Sequence, residues 1–147
     1  MTLWFDMDGT LGNLYAVEGW LDSLRAFDPS PYAKAAVLHN MNQLARYLNK
    51  VQELGCELGI VSWLSKNSND EYDEAVTKVK LIWLKKHLKS VHWDKIHIVQ
   101  YGTPKENFME SENDILFDDE ERNRNNWRGP AYKPEEIFTI LKQILAS

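Results

Sequence analysis

The sequence predicts an α/β protein with a Rossmann-like three-layer fold, in which a central parallel sheet carries helices on both faces. Short apolar segments alternate along the chain with longer segments of helical periodicity, the order that right-handed strand–helix–strand units produce. The apolar segments lack polar alternation, as strands that are buried on both faces do. A length of 147 residues with 44% hydrophobic content suits one core. We therefore expect a single domain over residues 1–147.

The first half of the chain has a strand, an irregular segment and a long helix. Residues 3–5 form a short apolar run that predicts the first strand. We interpret residues 13–31 as a small flap or cap insertion, with one short amphipathic helix that the prolines at its end terminate. Apolar residues then recur every three or four positions over residues 32–54, which predicts an amphipathic helix closed by Gly55.

The second half continues the alternation of strands and helices. Its predicted elements are a second strand at residues 57–63, a helix at about 71–89, a third strand at 96–100, a short helix at 105–110, a fourth strand at 114–118 and a closing helix at 134–145.

Polar side chains follow each of the four predicted strands. They are Asp6 and Asp8 after the first strand, Ser62 at the end of the second, Lys105 beyond the turn after the third, and Asp118 and Asp119 after the fourth. In an open parallel sheet, ligands bind beyond the carboxyl ends of the strands. These side chains are therefore expected to lie together in one site.

The residue types in this predicted site suit phosphoryl transfer. Carboxylates held close together repel one another unless a hard cation lies between them, and Mg²⁺ prefers oxygen ligands. One carboxylate can attack phosphorus to form an acyl phosphate, and a second can protonate the leaving oxygen and later activate water. A hydroxyl and a lysine can hold the other phosphoryl oxygens. The sequence thus predicts a magnesium-dependent phosphohydrolase that acts on phosphate monoesters.

Residues 4–11, with the sequence Trp-Phe-Asp-Met-Asp-Gly-Thr-Leu, resemble the first motif of the haloacid dehalogenase superfamily. Residues 59–62 resemble its second motif and residues 115–119 its fourth. In the phosphatases of that superfamily, the resemblance implies that Asp6 is the nucleophile, which forms an aspartyl phosphate, and that Asp8 is the general acid and base.

The resemblance also implies a set of magnesium ligands. Asp118 is expected to bind the metal directly and Asp119 to support it, either by direct contact or through water. Asp6 and the backbone carbonyl of Asp8 complete the protein ligands.

Three residues of these motifs are expected to hold the substrate phosphate: Ser62, Gly9 and Thr10. The third motif of the superfamily is little more than a lysine. Lys105 lies shortly before Asp118 and is our candidate for this lysine, with Lys66 and Lys95 as the alternatives that the sequence leaves open.

The expected substrate is a small phosphorylated molecule, in particular a nucleotide. The chain has an Asp-Asp pair in its fourth motif, a lysine shortly before that pair and Trp127 in the loop that follows, a pattern similar to the deoxyribonucleotidase-like branch of the superfamily. Trp20, Trp63 or Trp127 can stack on a base, because an aromatic face suits any nucleobase. The short insertion leaves room for only a small cap, so we expect an accessible site.

Two other functions remain as alternatives. A phosphatase of nucleic-acid 3′ ends needs a basic groove, for which residues 122–133 are the candidate, but a net charge of −5 disfavours nucleic acid and anionic membrane as partners. The second alternative is a phosphate-binding domain of the same fold without turnover. Asp8 argues against it, because binding alone does not need a general acid.

Cysteine content and hydropathy indicate the cellular compartment in which the protein is expected. The single cysteine, Cys56, excludes an internal disulfide and fits a reducing cytosol, so we expect a cytoplasmic protein. No apolar stretch has the length that a membrane span requires. The oligomeric state is not predicted.

Overall fold

A five-stranded parallel sheet lies at the centre of the computed structural model, which describes residues 1–147. The chain has seven strands, of which the second and third form a separate two-stranded ribbon. They are β1 (Thr2–Phe5), β2 (Gly12–Asn13), β3 (Ala36–Val37), β4 (Glu57–Trp63), β5 (Lys95–Val99), β6 (Ile115–Phe117) and β7 (Ala131–Tyr132). The helices are α1 (Trp20–Arg25), α2 (Ser30–Lys34), α3 (Met41–Glu53), α4 (Asp70–His87), α5 (Glu121–Asn126) and α6 (Ile137–Ala146). Single turns of 3₁₀-helix occur at Leu14–Ala16, Lys105–Phe108 and Pro134–Glu136.

The strand order of the central sheet is β5-β4-β1-β6-β7, which places β1 in the middle. Phe5 of β1 is in register with Ile60 of β4 on one side and with Phe117 of β6 on the other. The backbone N–H of Asp6 donates to the carbonyl oxygen of Phe117 at 3.0 Å. Since Asp118 follows Phe117, the carboxylates after β1 and β6 leave the sheet side by side. The predicted α/β class with a central parallel sheet is confirmed.

The two faces of the sheet are covered differently. On one face, Leu3 and Phe5 pack with buried side chains of α3, α4 and α6 in the main hydrophobic cluster. On the other face, Trp4 and Leu116 pack with Trp127, which follows α5, and with half-buried side chains near residue 108. Period-two alternation along β1 therefore supplies both layers of the core.

The helix predicted for residues 32–54 is wrong at its start, because α3 begins at Met41. Ala36–Val37 instead pair antiparallel with β2. The side chain of Asn40 then caps α3 by accepting a hydrogen bond from the backbone N–H of Gln43 at 3.1 Å. The helical spacing of apolar residues before Met41 reflects α2 and this short ribbon, not one continuous helix.

The insertion that we predicted at residues 13–31 contains two short helices where the sequence predicted one. Pro31 lies in the first turn of α2, where a missing N–H costs nothing, so it begins a helix and does not end one. The β2–β3 ribbon joins the two ends of this segment. We call residues 12–37 the insertion. That it acts as a cap stays a prediction.

In the second half of the chain, two elements were not predicted, α5 and the edge strand β7. Each is short, and residues 121–132 are rich in Arg, Asn, Gly and Pro, so neither element carries a periodic apolar signal. None of the helices combines the length and hydropathy that crossing a membrane requires.

Candidate active site

Three carboxylates meet at the carboxyl ends of β1 and β6. Asp6, Asp118 and Asp119 each place an oxygen within 4.8 Å of the other two. Asp6 and Asp118 are almost fully buried, at 6% and 0% exposure. The sequence-predicted metal ligands on these two strands are thus brought together.

Lys105 is the lysine that enters this cluster. Its Nζ donates to Asp6 Oδ1 at 2.9 Å and to Asp118 Oδ2 at 2.7 Å. Burial lowers the pKa of Lys105, but the charges of Asp6 and Asp118 outweigh burial and hold the pKa above its ordinary value. Lys66 lies over the ring of Tyr101 on the cavity wall, and Lys95 forms ion pairs elsewhere.

The cluster holds more negative charge than the protein neutralises. Burial first, and the charge of Asp6 second, raise the pKa of Asp118 to about 6 and that of Asp119 to about 8. A divalent cation would relieve this crowding, and the donors are the oxygens that Mg²⁺ prefers. Gly9 allows Asp119 to approach, because a Cβ at Gly9 would lie 2.2 Å from Asp119 Oδ2. The residues therefore fit a magnesium ion.

Asp8 lies apart from these three carboxylates and is paired with Lys80 of α4. The Lys80 Nζ donates to Asp8 Oδ2 at 3.0 Å, to Ser62 Oγ at 2.8 Å and to the carbonyl oxygen of Trp63 at 2.8 Å. Burial raises the pKa of the Asp8 carboxyl, although the charge of Lys80 acts in the opposite direction. The side chain of Asp8 remains 20% exposed.

Lys80 is the main site residue that the sequence analysis missed. It lies on the buried stripe of α4, next to Val76, Trp83 and Leu84. A lysine at such a position was the available signal, since lysines are rarely buried without a partner.

The remaining predicted phosphate ligands, Thr10, Gly9 and Ser62, all form hydrogen bonds within the protein. Thr10 is fully buried; its Oγ1 donates to Asp6 Oδ2 at 3.1 Å and accepts from the backbone N–H of Asp119 at 3.2 Å. The N–H of Gly9 donates to the carbonyl oxygen of Gly12 at 2.8 Å. Ser62 is also fully buried. The phosphate contacts of all three stay predictions. The observed contacts of Gly9 and Thr10 stabilise the turn after β1, whereas Ser62 accepts a hydrogen bond from Lys80.

Asp118 has two further partners that were not predicted. Asn123 of α5 donates from Nδ2 to Asp118 Oδ2 at 3.1 Å, and the backbone N–H of Glu120 donates to Asp118 Oδ1 at 2.9 Å. Asn123 is 6% exposed. The orientation of the Asp118 carboxylate is therefore set by the protein itself.

A cavity of about 310 Å³ opens above the carboxylates. Its floor holds Asp6, Asp8 and Lys105, and one wall comes from β4 and the loops that follow β4 and β5. The opposite wall is apolar and aromatic and comes from the insertion: Leu14, Tyr15, Trp20, Leu21, Leu24 and Tyr32. The insertion therefore shapes the space next to the carboxylates and Lys105.

Two of the three tryptophans that we considered for base stacking line this cavity. Trp20 packs edge-on against Tyr15, with ring centroids 5.1 Å apart. Trp63 donates from Nε1 to the carbonyl oxygen of Thr103 at 2.7 Å, which fixes its ring. The expectation for Trp127 is wrong, since it is 5% exposed, packs in the core with Trp4 and Leu116, and does not line the cavity.

Comparison with known proteins identifies a shared fold. No protein-family model matches the chain, and no curated protein matches it. Among solved structures, the chain is similar to D,D-heptose 1,7-bisphosphate phosphatase from Burkholderia thailandensis, with a TM-score of 0.52 and 11% sequence identity. The match covers 84% of this chain and 69% of that chain. At this identity, the likeness shows the common α/β architecture.

Proposed function

We propose that the protein is a magnesium-dependent phosphohydrolase of the haloacid dehalogenase type, which hydrolyses phosphate monoesters through an aspartyl phosphate on Asp6. The observation that carries the proposal is the cluster of Asp6, Asp118 and Asp119 below a cavity, with Asp8 two residues beyond Asp6. The fold shared with a heptose bisphosphate phosphatase supports it.

Asp6, Asp118 and Asp119 would hold the magnesium ion, together with the backbone carbonyl of Asp8. When bound, the cation supplies the positive charge that lets an anionic phosphate approach a carboxylate. Lys105 contributes a second, fixed positive charge, since its Nζ already contacts Asp6 and Asp118.

The chemistry of the chain's own residues has two steps. In the first, a carboxylate oxygen of Asp6 attacks phosphorus, the ester P–O bond breaks, and Asp8 gives a proton to the leaving oxygen. In the second, Asp8 takes a proton from the water that attacks the acyl phosphate, and inorganic phosphate leaves with Asp6 restored. Lys105 and Ser62 are the proposed ligands of the phosphoryl oxygens, alongside Gly9 and Thr10.

The proposed substrate is a nucleoside monophosphate. The wall that the insertion provides is aromatic and apolar, and Tyr15 is 47% exposed beside Trp20. Such a surface suits the flat, weakly polar face of a base better than a polyhydroxylated sugar. Cavities of a few hundred Å³ hold ligands of this size.

The basic stretch at residues 122–133 does not favour a nucleic-acid 3′-end phosphatase. Arg124 donates to the carbonyl oxygen of Asp118, and Arg128 donates to that of Glu106. Arg122 lies 4.8 Å from the ring centroid of Trp63 and near Glu120. These arginines are directed to separate partners in the protein, whereas a nucleic-acid groove needs them aligned along a backbone.

A phosphate-release screen tests the proposal. The purified protein with Mg²⁺ is given nucleoside monophosphates, sugar phosphates and a 3′-phosphorylated oligonucleotide, and the isosteric Asp6→Asn variant is the matched control. We expect release by the parent chain alone, loss of release with chelator, and preference for a nucleoside monophosphate. Equal release by Asp6→Asn would exclude Asp6 as the nucleophile, and no release from any ester would contradict the proposal.

A further inference from the structure

Lys80 is a buried lysine whose three N–H groups all have partners. Its side chain is 1% exposed. The acceptors are Asp8 Oδ2, Ser62 Oγ and the carbonyl oxygen of Trp63, at 3.0, 2.8 and 2.8 Å. An ammonium group has three donors, so this set uses all of them and fixes the position of Nζ.

The partners of Lys80 connect two parts of the site. Ser62 and Trp63 end β4, whereas Asp8 belongs to the turn after β1. Two hydrogen bonds therefore anchor Nζ to the sheet, and the third reaches Asp8. The ring of Tyr32, from the insertion, lies 5.1 Å from Nζ.

Core packing does not account for a lysine at this position. Its neighbours on the same stripe of α4, Val76 and Trp83, are buried apolar residues. Removing an ammonium group from water has a large desolvation cost, which an apolar side chain would avoid. Asp8 is the only carboxylate that Lys80 contacts within 4.0 Å. Of the three partners of Lys80, only Asp8 carries a charge that compensates the buried ammonium group.

We propose that Lys80 is a positioning residue for proton transfer, which holds the Asp8 carboxyl where it can protonate the leaving oxygen; the inference rests on the proposed function. In that step, Asp6 bonds to phosphorus, the ester P–O bond breaks, and its electron pair stays on the leaving oxygen, which takes the proton of Asp8. Lys80 occupies Oδ2 of Asp8, whereas Oδ1 has no hydrogen-bond partner in the protein. Oδ1 is therefore the oxygen that carries the proton.

The two buried lysines of the site then act on different carboxylates. Lys105 contacts Asp6 and Asp118. Lys80 contacts Asp8. Loss of Lys80 should therefore affect the transfer of the proton more than the attack on phosphorus.

The choice of leaving group separates these two effects. A nucleoside monophosphate leaves as an alcohol and needs the proton, whereas 4-nitrophenyl phosphate leaves as a stable anion. We expect Lys80→Met to lower kcat/KM by about 10²-fold or more on the nucleoside monophosphate and by less than about tenfold on 4-nitrophenyl phosphate. kcat/KM is the parameter to compare, because it reports the steps up to the first P–O cleavage. The control is Lys78→Met. Lys78 lies on the same helix with a side chain that is 71% exposed, so its substitution should change kcat/KM on neither ester.

A double-mutant cycle provides a second readout. If Lys80 acts through Asp8, Lys80→Met adds little further loss in an Asp8→Asn background. Lys80→Gln keeps a polar group of similar length and serves in both experiments if the methionine variant does not fold, as judged by circular dichroism.

Three outcomes are distinguishable. A selective loss on the nucleoside monophosphate together with non-additivity supports the positioning role of Lys80. Equal losses on both esters, or additive losses with Asp8→Asn, would assign Lys80 a purely structural role and overturn the inference. A parent chain that is inactive on both esters contradicts the proposed function itself, and the inference fails with it.

Discussion

Asp118 accepts hydrogen bonds from three directions before any metal is present. Lys105 and Asn123 donate to Oδ2, and the backbone N–H of Glu120 donates to Oδ1. A carboxylate held in this way loses little freedom when it binds a cation, because its orientation is already set. Mutating a group that orients a metal ligand typically lowers metal affinity or activity by about 10- to 100-fold.

At the residue scale, we expect Asn123→Ala to weaken magnesium binding by about tenfold, because it removes one of the groups that orient Asp118. Isothermal titration calorimetry of the metal-free protein with Mg²⁺ measures the effect. Asn125→Ala is the matched control, since Asn125 is on the same helix and is exposed. An affinity that is equal in all three proteins would mean that Asp118 does not depend on Asn123 or does not bind the metal.

Residue-scale signals in the sequence were of unequal strength. Asp6 and Asp8 could be singled out because they directly follow an apolar strand, within a motif of fixed spacing. Asn123 could not, and the apolar stripe of α4 marked Lys80 only as a buried lysine, because each lies on a helix and acquires its role only when that helix packs against the ends of the strands. Local spacing does not contain that information.

At the scale of elements, the indole of Trp4 on the middle strand β1 lies against Gly59 of the neighbouring strand β4. A Cβ at Gly59 of β4 would lie 2.5 Å from Cε3 of Trp4 on β1. Real Cβ atoms do not come this close to a ring atom, and neither strand can move freely because both have neighbours on each side. The glycine therefore provides space for the indole.

We expect Gly59→Ala to lower the free energy of unfolding by about 1–3 kcal/mol, the usual cost of overpacking a core. Urea denaturation measures this change. The double variant with Trp4→Phe should lose less than the sum of the two single variants, because the smaller ring relieves the contact. Additive losses would mean that the destabilisation by Gly59→Ala does not arise from contact with the Trp4 indole.

Elements with a clear periodic signal were predicted, and elements without one were not. The apolar runs at β1, β4 and β6 and the amphipathic pattern of α3 and α4 follow from burial, which acts on every residue of those segments. β7 has two residues, and it becomes a strand only because β6 offers it an unpaired edge. Pairing of this kind depends on tertiary contacts.

At the scale of the whole molecule, the folded chain gathers carboxylates that the unfolded chain keeps apart. An acid whose pKa is raised by folding favours the folded state only while it holds its proton. The contribution of Asp118 and Asp119 to the stability of the folded state is complete below the ordinary aspartate pKa of 3.8. It is lost as the pH rises through the folded-state pKa values, about 6 for Asp118 and about 8 for Asp119. Magnesium should compensate for this loss, because it replaces the protons.

We therefore expect Mg²⁺ to raise the melting temperature more at pH 8 than at pH 5.5. At a concentration about 100-fold above its Kd and at pH 8, the rise should be about 5–10 °C. Comparing each pH with and without Mg²⁺ cancels the effect of other titrating groups. Thermal melts of the parent chain and of Asp119→Asn provide the measurement, and the variant should show a smaller response. A rise that is equal at both pH values would contradict binding to these acids.

The sequence by itself determined the α/β class, the positions of the main strands along the chain and the carboxylates that follow them. It could do so because burial imposes a local periodicity and because parallel strands bring all their carboxyl ends to one edge of the sheet. Only the tertiary structure decided that Lys105 enters the cluster, that Lys80 reaches Asp8, and that the insertion walls the cavity. Those contacts join segments far apart in the chain, and their partners are selected by packing in three dimensions, which leaves no fixed spacing in the sequence.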